Sequence, residues 1–180
     1  MVRDPRALRD EGMQHYRAGR YDEAADRFAA ARDLFAAAGD SLAAAEMQND
    51  LGVVYRAQHR WDEATAAFTA AQQDFEELGN QAHAGQVLGN LGSLYLAQGR
   101  LDQAASHLSR AATLLHQAGE RQLEGDTRRL LSTVRLRQRR WLEALVIYET
   151  ALTCYPGLSL GRRLLLHLVR WLVRLTGVRA

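Results

Sequence analysis

The feature that most constrains this chain is an internal repeat with a period of 40 residues. Tyr21, Trp61, Leu101 and Trp141 fall 40 residues apart. The same interval relates Ala24, Ala64, Ala104 and Ala144, then Phe28, Phe68, Leu108 and Tyr148, then Ala31, Ala71, Ala111 and Ala151. Upstream, Gly12, Gly52, Gly92 and Ser132 complete the register. A chain that repeats this way builds one supersecondary unit several times and hides the apolar flank of each against the next.

Each unit reads as two amphipathic helices. In the second, Met47, Leu51, Val54 and Tyr55 recur at helical spacing, and Trp61, Ala64, Phe68, Ala71 and Phe75 do so again. Gly39, Gly79 and Gly119 sit where a helix ends in a left-handed residue, and Asp40-Ser41 and Asn80 offer oxygens to cap the next one. Small Ala and Gly at fixed positions let helix backbones approach closely, while the aromatic at the following turn fills the gap. Composition agrees: 47% of residues are apolar, only two are Pro, and good helix formers dominate. The expected fold is all-α, an α-solenoid of four helical hairpins (about 5–40, 41–80, 81–120 and 121–156) followed by a C-terminal helix over 158–180.

These residues resemble the tetratricopeptide (TPR) repeat. Its Leu-Gly-x-x-Tyr element stands as Leu51-Gly52 with Tyr55 and as Leu91-Gly92 with Tyr95. Its Ala-x-x-x-Phe element follows at Ala64 with Phe68 and at Ala104 with Leu108, and Pro156 takes the closing proline position. Two departures stand out. The early Trp is replaced by Leu8, Gln48, Leu88 and Arg128, and the period is 40 rather than about 34. Longer units with a Gly-Asp or Gly-Asn junction and a Leu-Gly-Asn-Leu-Gly run, as at 88–92, are similar to the subclass of kinesin light chains and of polarity and signalling adaptors.

The resemblance implies that the first helix of every unit lines a concave groove for a protein or peptide segment. In unit two Glu46, Asn49, Asp50, Val53 and Arg56 share one face, opposite the Leu51 and Tyr55 stripe. Their counterparts include Arg9 in unit one, Gln86, Asn90 and Ser93 in unit three, and Asp126, Arg129 and Thr133 in unit four. Carboxamides at Asn49 and Asn90 offer donor and acceptor to a peptide backbone, and Arg9, Arg56 and Arg129 match carboxylates. The adaptor subclass often presents Asn at the Asn90 position. A solvated helix face is the competing explanation, since each side chain alone is ordinary surface chemistry. The two-carboxylate clamp of chaperone cofactors is not matched.

Charge is uneven along the chain. Residues 1–124 hold 12 Arg against 18 acidic residues, and residues 125–180 hold 11 Arg against 3. In the C-terminal segment Arg163, His167, Arg170 and Arg174 form a narrow polar stripe in an otherwise Leu, Val and Trp171 surface, which Gly161 and Gly177 bound. A membrane span is disfavoured, because a central Arg costs ~2.5–3.5 kcal/mol and each Leu or Val returns only ~0.3–0.6. Capping the last repeat, self-association into a homo-oligomer, and lying on an anionic membrane stay open for this helix. They define the alternative function, a peripheral membrane or self-associating protein.

No catalytic set is expected. The six His are scattered, so no metal site is foreseen; no phosphate loop or nucleophile turn is present, and no cofactor is implied. Cys154 reads as a packing residue, and a lone Cys requires no oxidising compartment. The charged start carries no signal peptide, so a cytoplasmic location is expected. The Arg run from Arg135 to Arg140 lacks the aromatic platforms of a single-strand binder, so nucleic acid is disfavoured. The expected function is a non-enzymatic interaction scaffold.

Overall fold

The computed structural model describes residues 4–155, and beyond them residues 161, 164, 167–169 and 171. Helices α1 (Pro5–Arg17), α2 (Tyr21–Ala37), α3 (Ser41–Ala57), α4 (Trp61–Glu77), α5 (Gln81–Ala97), α6 (Leu101–Gln117), α7 (Arg121–Arg137) and α8 (Trp141–Thr153) follow one another, with no strand among the described residues. By compactness the chain divides into two units, 1–90 and 91–180. In the first, α1 packs on α2, α2 on α3 and α3 on α4; in the second, α6 packs on α7 and α7 on α8.

One turn design recurs at every link. Left-handed residues stand every 20 positions: Gly19, Gly39, His59, Gly79, Gly99, Gly119 and Arg139, with φ between 59° and 78°. At the 38–40 link the Gly39 N–H donates to Ala36 and the Asp40 N–H to Phe35, at 3.0 and 2.9 Å. This pair of bonds is the Schellman motif, which satisfies carbonyls that a helix end would leave bare. The expected left-handed glycines at unit junctions are therefore present, and the same geometry also closes each hairpin. His59 and Arg139 adopt it despite a Cβ.

Helix starts differ by kind. The Asp40 side chain accepts the Ala43 N–H at 3.0 Å and Asn80 accepts that of His83 at 3.2 Å, as expected of caps. The second helices of the hairpins begin after Arg20, Arg60, Arg100 and Arg140, none of which caps with its side chain. Acidic first-turn residues such as Asp22, Asp62, Asp102 and Glu143 complement the helix dipole there. Arg60 and Arg100 lie over the rings of Tyr55 and Tyr95, 4.5 and 4.8 Å from the centroids, a cation–π contact at the turn.

The gap at the repeat glycine is filled from the second helix. A Cβ on Gly12 would stand 2.7 Å from the Phe28 ring, one on Gly52 2.6 Å from Phe68, and one on Gly92 2.5 Å from Leu108. Those three large residues are fully buried. The turn residues Tyr21, Trp61 and Leu101 are only half-buried, and Trp141 is 62% exposed, so the aromatic at the turn is not the filler. In the last hairpin the exchange runs the other way. Ser132 replaces Gly and donates to the Ala144 carbonyl at 2.8 Å, while Tyr148, in the Phe column, is half-buried.

Most of the C-terminal segment, including Pro156, Arg163, Arg170, Arg174 and Gly177, lies outside the described residues. Gly161, expected to bound that helix, is itself helical. Val169 is buried, whereas Leu164, Leu168 and Trp171, at helical spacing, are exposed. No helix among the described residues is long and apolar enough to cross a membrane.

Candidate functional site

In the first unit, α1, α3 and the start of α5 enclose a cleft of about 240 Å³. Five of the expected residues line it: Glu46, Asn49 and Asp50 from α3, Arg9 from α1 and Gln86 from α5. They meet because positions 46, 49 and 50 lie on one turn-and-a-bit of α3, and the 40-residue register sets α1 and α5 on either side.

An amide pair crosses the cleft edge. The Asn90 Nδ2 donates to the Asn49 Oδ1 at 2.9 Å, and the Asn49 Nδ2 makes a long 3.4 Å bond to the Asp50 carboxylate. Asn49 and Asn90 are both half-buried. Among the described residues the Asn90 carbonyl oxygen has no partner, so it is left to accept a bond from outside.

Burial drives the electrostatics. Asp50 is pushed up to about 6, first by desolvation, against which the Asn49 bond works; the like charge of Glu46 adds to the rise and the charge of Arg9 opposes it. Arg9 lies 3.8 Å from Asp10. Glu46 faces the His83 Nε2 at 3.5 Å. The His83 Nδ1 is 3.0 Å from the Asn80 side-chain oxygen, an acceptor, so Nδ1 carries the proton and Nε2 becomes a donor only when the ring is charged. Phe75 stacks on this imidazole, centroids 4.9 Å apart.

The other expected residues are placed differently. Arg56 and Ser93 are half-buried on α3 and α5. In the second unit Asp126 accepts the Tyr155 hydroxyl at 2.7 Å and lies 3.7 Å from Arg129, and the Thr133 hydroxyl donates to the Arg129 carbonyl at 3.1 Å. Asp126 is thus engaged inside its own unit, whereas Arg129 and Thr133 face solvent.

Two features escaped sequence reasoning. Phe75 and His83 complete the cleft wall, although the His residues read as scattered. The second is Glu124, a carboxylate only 1% exposed where the two preceding units carry Ala44 and Ala84. Arg128 donates to it at 2.8 Å, and His116 and Arg121 lie 3.2 and 3.7 Å away. Burial raises its pKa, but the bonds from Arg128 and His116 and their charges outweigh that and hold it below the ordinary value. Cys154, buried beside it, has its thiol pushed up by burial and by the Glu124 charge, the opposite of an activated nucleophile. The register departure from Ala to Glu was the available signal.

A family model described as Tetratricopeptide repeat matches residues 4–77 and 83–156. Solved structures agree, with 69 chains matching. One is BtubC (BKLC) from P. vanneervenii, 20% identical, with a TM-score of 0.75 over 88% of this chain and 70% of that one, a likeness of fold. No curated protein matches at a significant level.

Proposed function

The chain belongs to the tetratricopeptide repeat family, and from that premise we propose that it is a non-catalytic scaffold that binds an extended protein segment across the first helices of its hairpins. Repeats of this family are in general protein–protein interaction modules. What supports the finer reading is the amide pair Asn49–Asn90 at the rim of the α1/α3/α5 cleft, where the Asn90 oxygen is unspent and the Asn49 amide is held only by a 3.4 Å bond. An extended peptide carries unpaired N–H and C=O groups at regular spacing, and two carboxamides on neighbouring helices meet that demand. Arg9, Glu46, Asp50 and Gln86 supply side-chain selectivity around them. Ser93, Arg56, Arg129 and Thr133 serve as further contacts in this reading.

Affinity capture from the source cell with the full chain, followed by peptide mapping of what is retained, tests the proposal. A retained protein whose binding segment competes as a free peptide, and whose capture falls with Asn49→Ala and Asn90→Ala, supports it. Capture indifferent to both changes moves the site off these helices. A second reading, in which the C-terminal helix acts on a membrane or a second copy, is favoured by the exposed Leu164, Leu168 and Trp171. Liposome flotation and sedimentation of the full chain against one ending at Pro156 decide it; identical lipid-free, monomeric behaviour removes that reading.

A further inference from the structure

We infer that the α1/α3/α5 cleft receives a cationic side chain, Lys or Arg, of the bound segment, its charged head lodged between Glu46 and Asp50. This rests on the groove reading and specifies its ligand.

Size argues for a side chain. At about 240 Å³ the cleft falls below the range of roughly 300–1,000 Å³ that holds whole small molecules. Its lining suits a charged head: the accessible surface is mostly polar and carries Glu46 and Asp50, while Met47, Val87 and Phe75 are fully buried.

Charge argues for a cation. Glu46 and Asp50 are four residues apart on α3, the spacing at which like charges meet and disfavour one another. The cleft supplies only part of the counter-charge Asp50 lacks, from Arg9, too little to offset its burial. Among the described residues Asp50 has no ion pair, its one hydrogen bond is the long one from Asn49, and Arg9, the cation on the α1 wall, lies against Asp10. His83 on the α5 wall faces Glu46 across 3.5 Å, and Gln86 is neutral. A half-buried carboxylate held by one long hydrogen bond leaves part of its desolvation uncompensated, and the elevated Asp50 pKa agrees with that. An incoming ammonium or guanidinium relieves it; an incoming carboxylate aggravates it. Lowering the pH through 6 protonates Asp50 and removes this preference.

The test is an array of short extended peptides with a neutral background and one central position held as Lys or Arg, as Gln, or as Glu or Asp, probed with the full chain. The wild-type chain is expected to favour the Lys and Arg set over the Glu and Asp set by at least about tenfold at neutral pH. That preference should collapse to about twofold or less in Glu46→Gln/Asp50→Asn and in the wild type at pH 5, whereas Asn49→Ala/Asn90→Ala weakens all sets alike. If the double variant does not melt as a folded protein, near-isosteric Asp50→Asn alone is read. Binding that ignores central charge, or prefers Glu and Asp, overturns the cation assignment and leaves the groove reading standing. An array on which nothing binds overturns both.

Discussion

Asn90 donates from its side-chain amide to the side-chain oxygen of Asn49, 2.9 Å away and 41 positions earlier in the chain. We expect Asn49→Ala and Asn90→Ala each to weaken peptide capture, and the double variant to lose less than the sum of the two, because residues sharing a bond couple by about 0.5–3 kcal/mol. Fluorescence polarisation with a captured peptide measures the cycle; strict additivity would show that the pair does not act together.

Asp50 also predicts a stability profile. Its native pKa of about 6 lies above its ordinary 3.8, so between those values the native state binds more protons than the unfolded one. Its contribution is therefore fullest below pH 3.8 and is lost as pH rises through 6. Asp50→Asn should raise Tm at pH 7.5, by about 2–4 °C for each kcal/mol relieved, and give little gain near pH 4. Equal gains at both pH values, read by calorimetry, would contradict the burial cost.

Packing at the repeat glycine is the next test. Gly52→Ala puts a methyl 2.6 Å from the fully buried Phe68 ring and is expected to cost about 1–3 kcal/mol. Phe68→Leu, which copies the Gly92–Leu108 pair, does not rescue it, since a Cβ at Gly92 would be just as close to Leu108. Urea melts of the single and combined variants decide this.

His59 and Arg139 occupy left-handed positions that Gly takes in the five other turns. A Cβ there costs roughly 1–2 kcal/mol, so His59→Gly and Arg139→Gly should each stabilise by about 1 kcal/mol or a little less, the gain being reduced by the larger entropy of the unfolded Gly chain. A loss of stability in chemical denaturation would mean that the His59 contact with the Trp61 ring, 4.9 Å between centroids, outweighs the backbone strain.

Glu124 behaves oppositely to Asp50. Its native pKa is held below the ordinary 4.5, so its contribution is present above that value and is lost as the pH falls below it. Glu124→Gln should destabilise the second unit by about 1.5–3 kcal/mol at neutral pH through weakened bonds to Arg128 and His116. Hydrogen exchange on α7 reports it, and unchanged protection would show that the cluster is incidental.

Much of this protein was legible from its residues in order. The columns at Gly52, Ala64 and Phe68 and the junction glycines determined that helices pair into hairpins of 40 residues, because backbone torsion preferences and helical periodicity act over a few neighbouring positions. The polar face of α3 followed from the same periodicity. What faces it did not: that Asn49 meets Asn90, that His83 and Phe75 close the cleft over Glu46, that Asp126 is taken by Tyr155, and that Ser132 rather than a larger shift repairs the last hairpin were decided only when helices distant in sequence packed. Those contacts depend on how far each helix is rotated about its axis against its neighbours, and the close-packed interior sets that rotation, not any local stretch of chain.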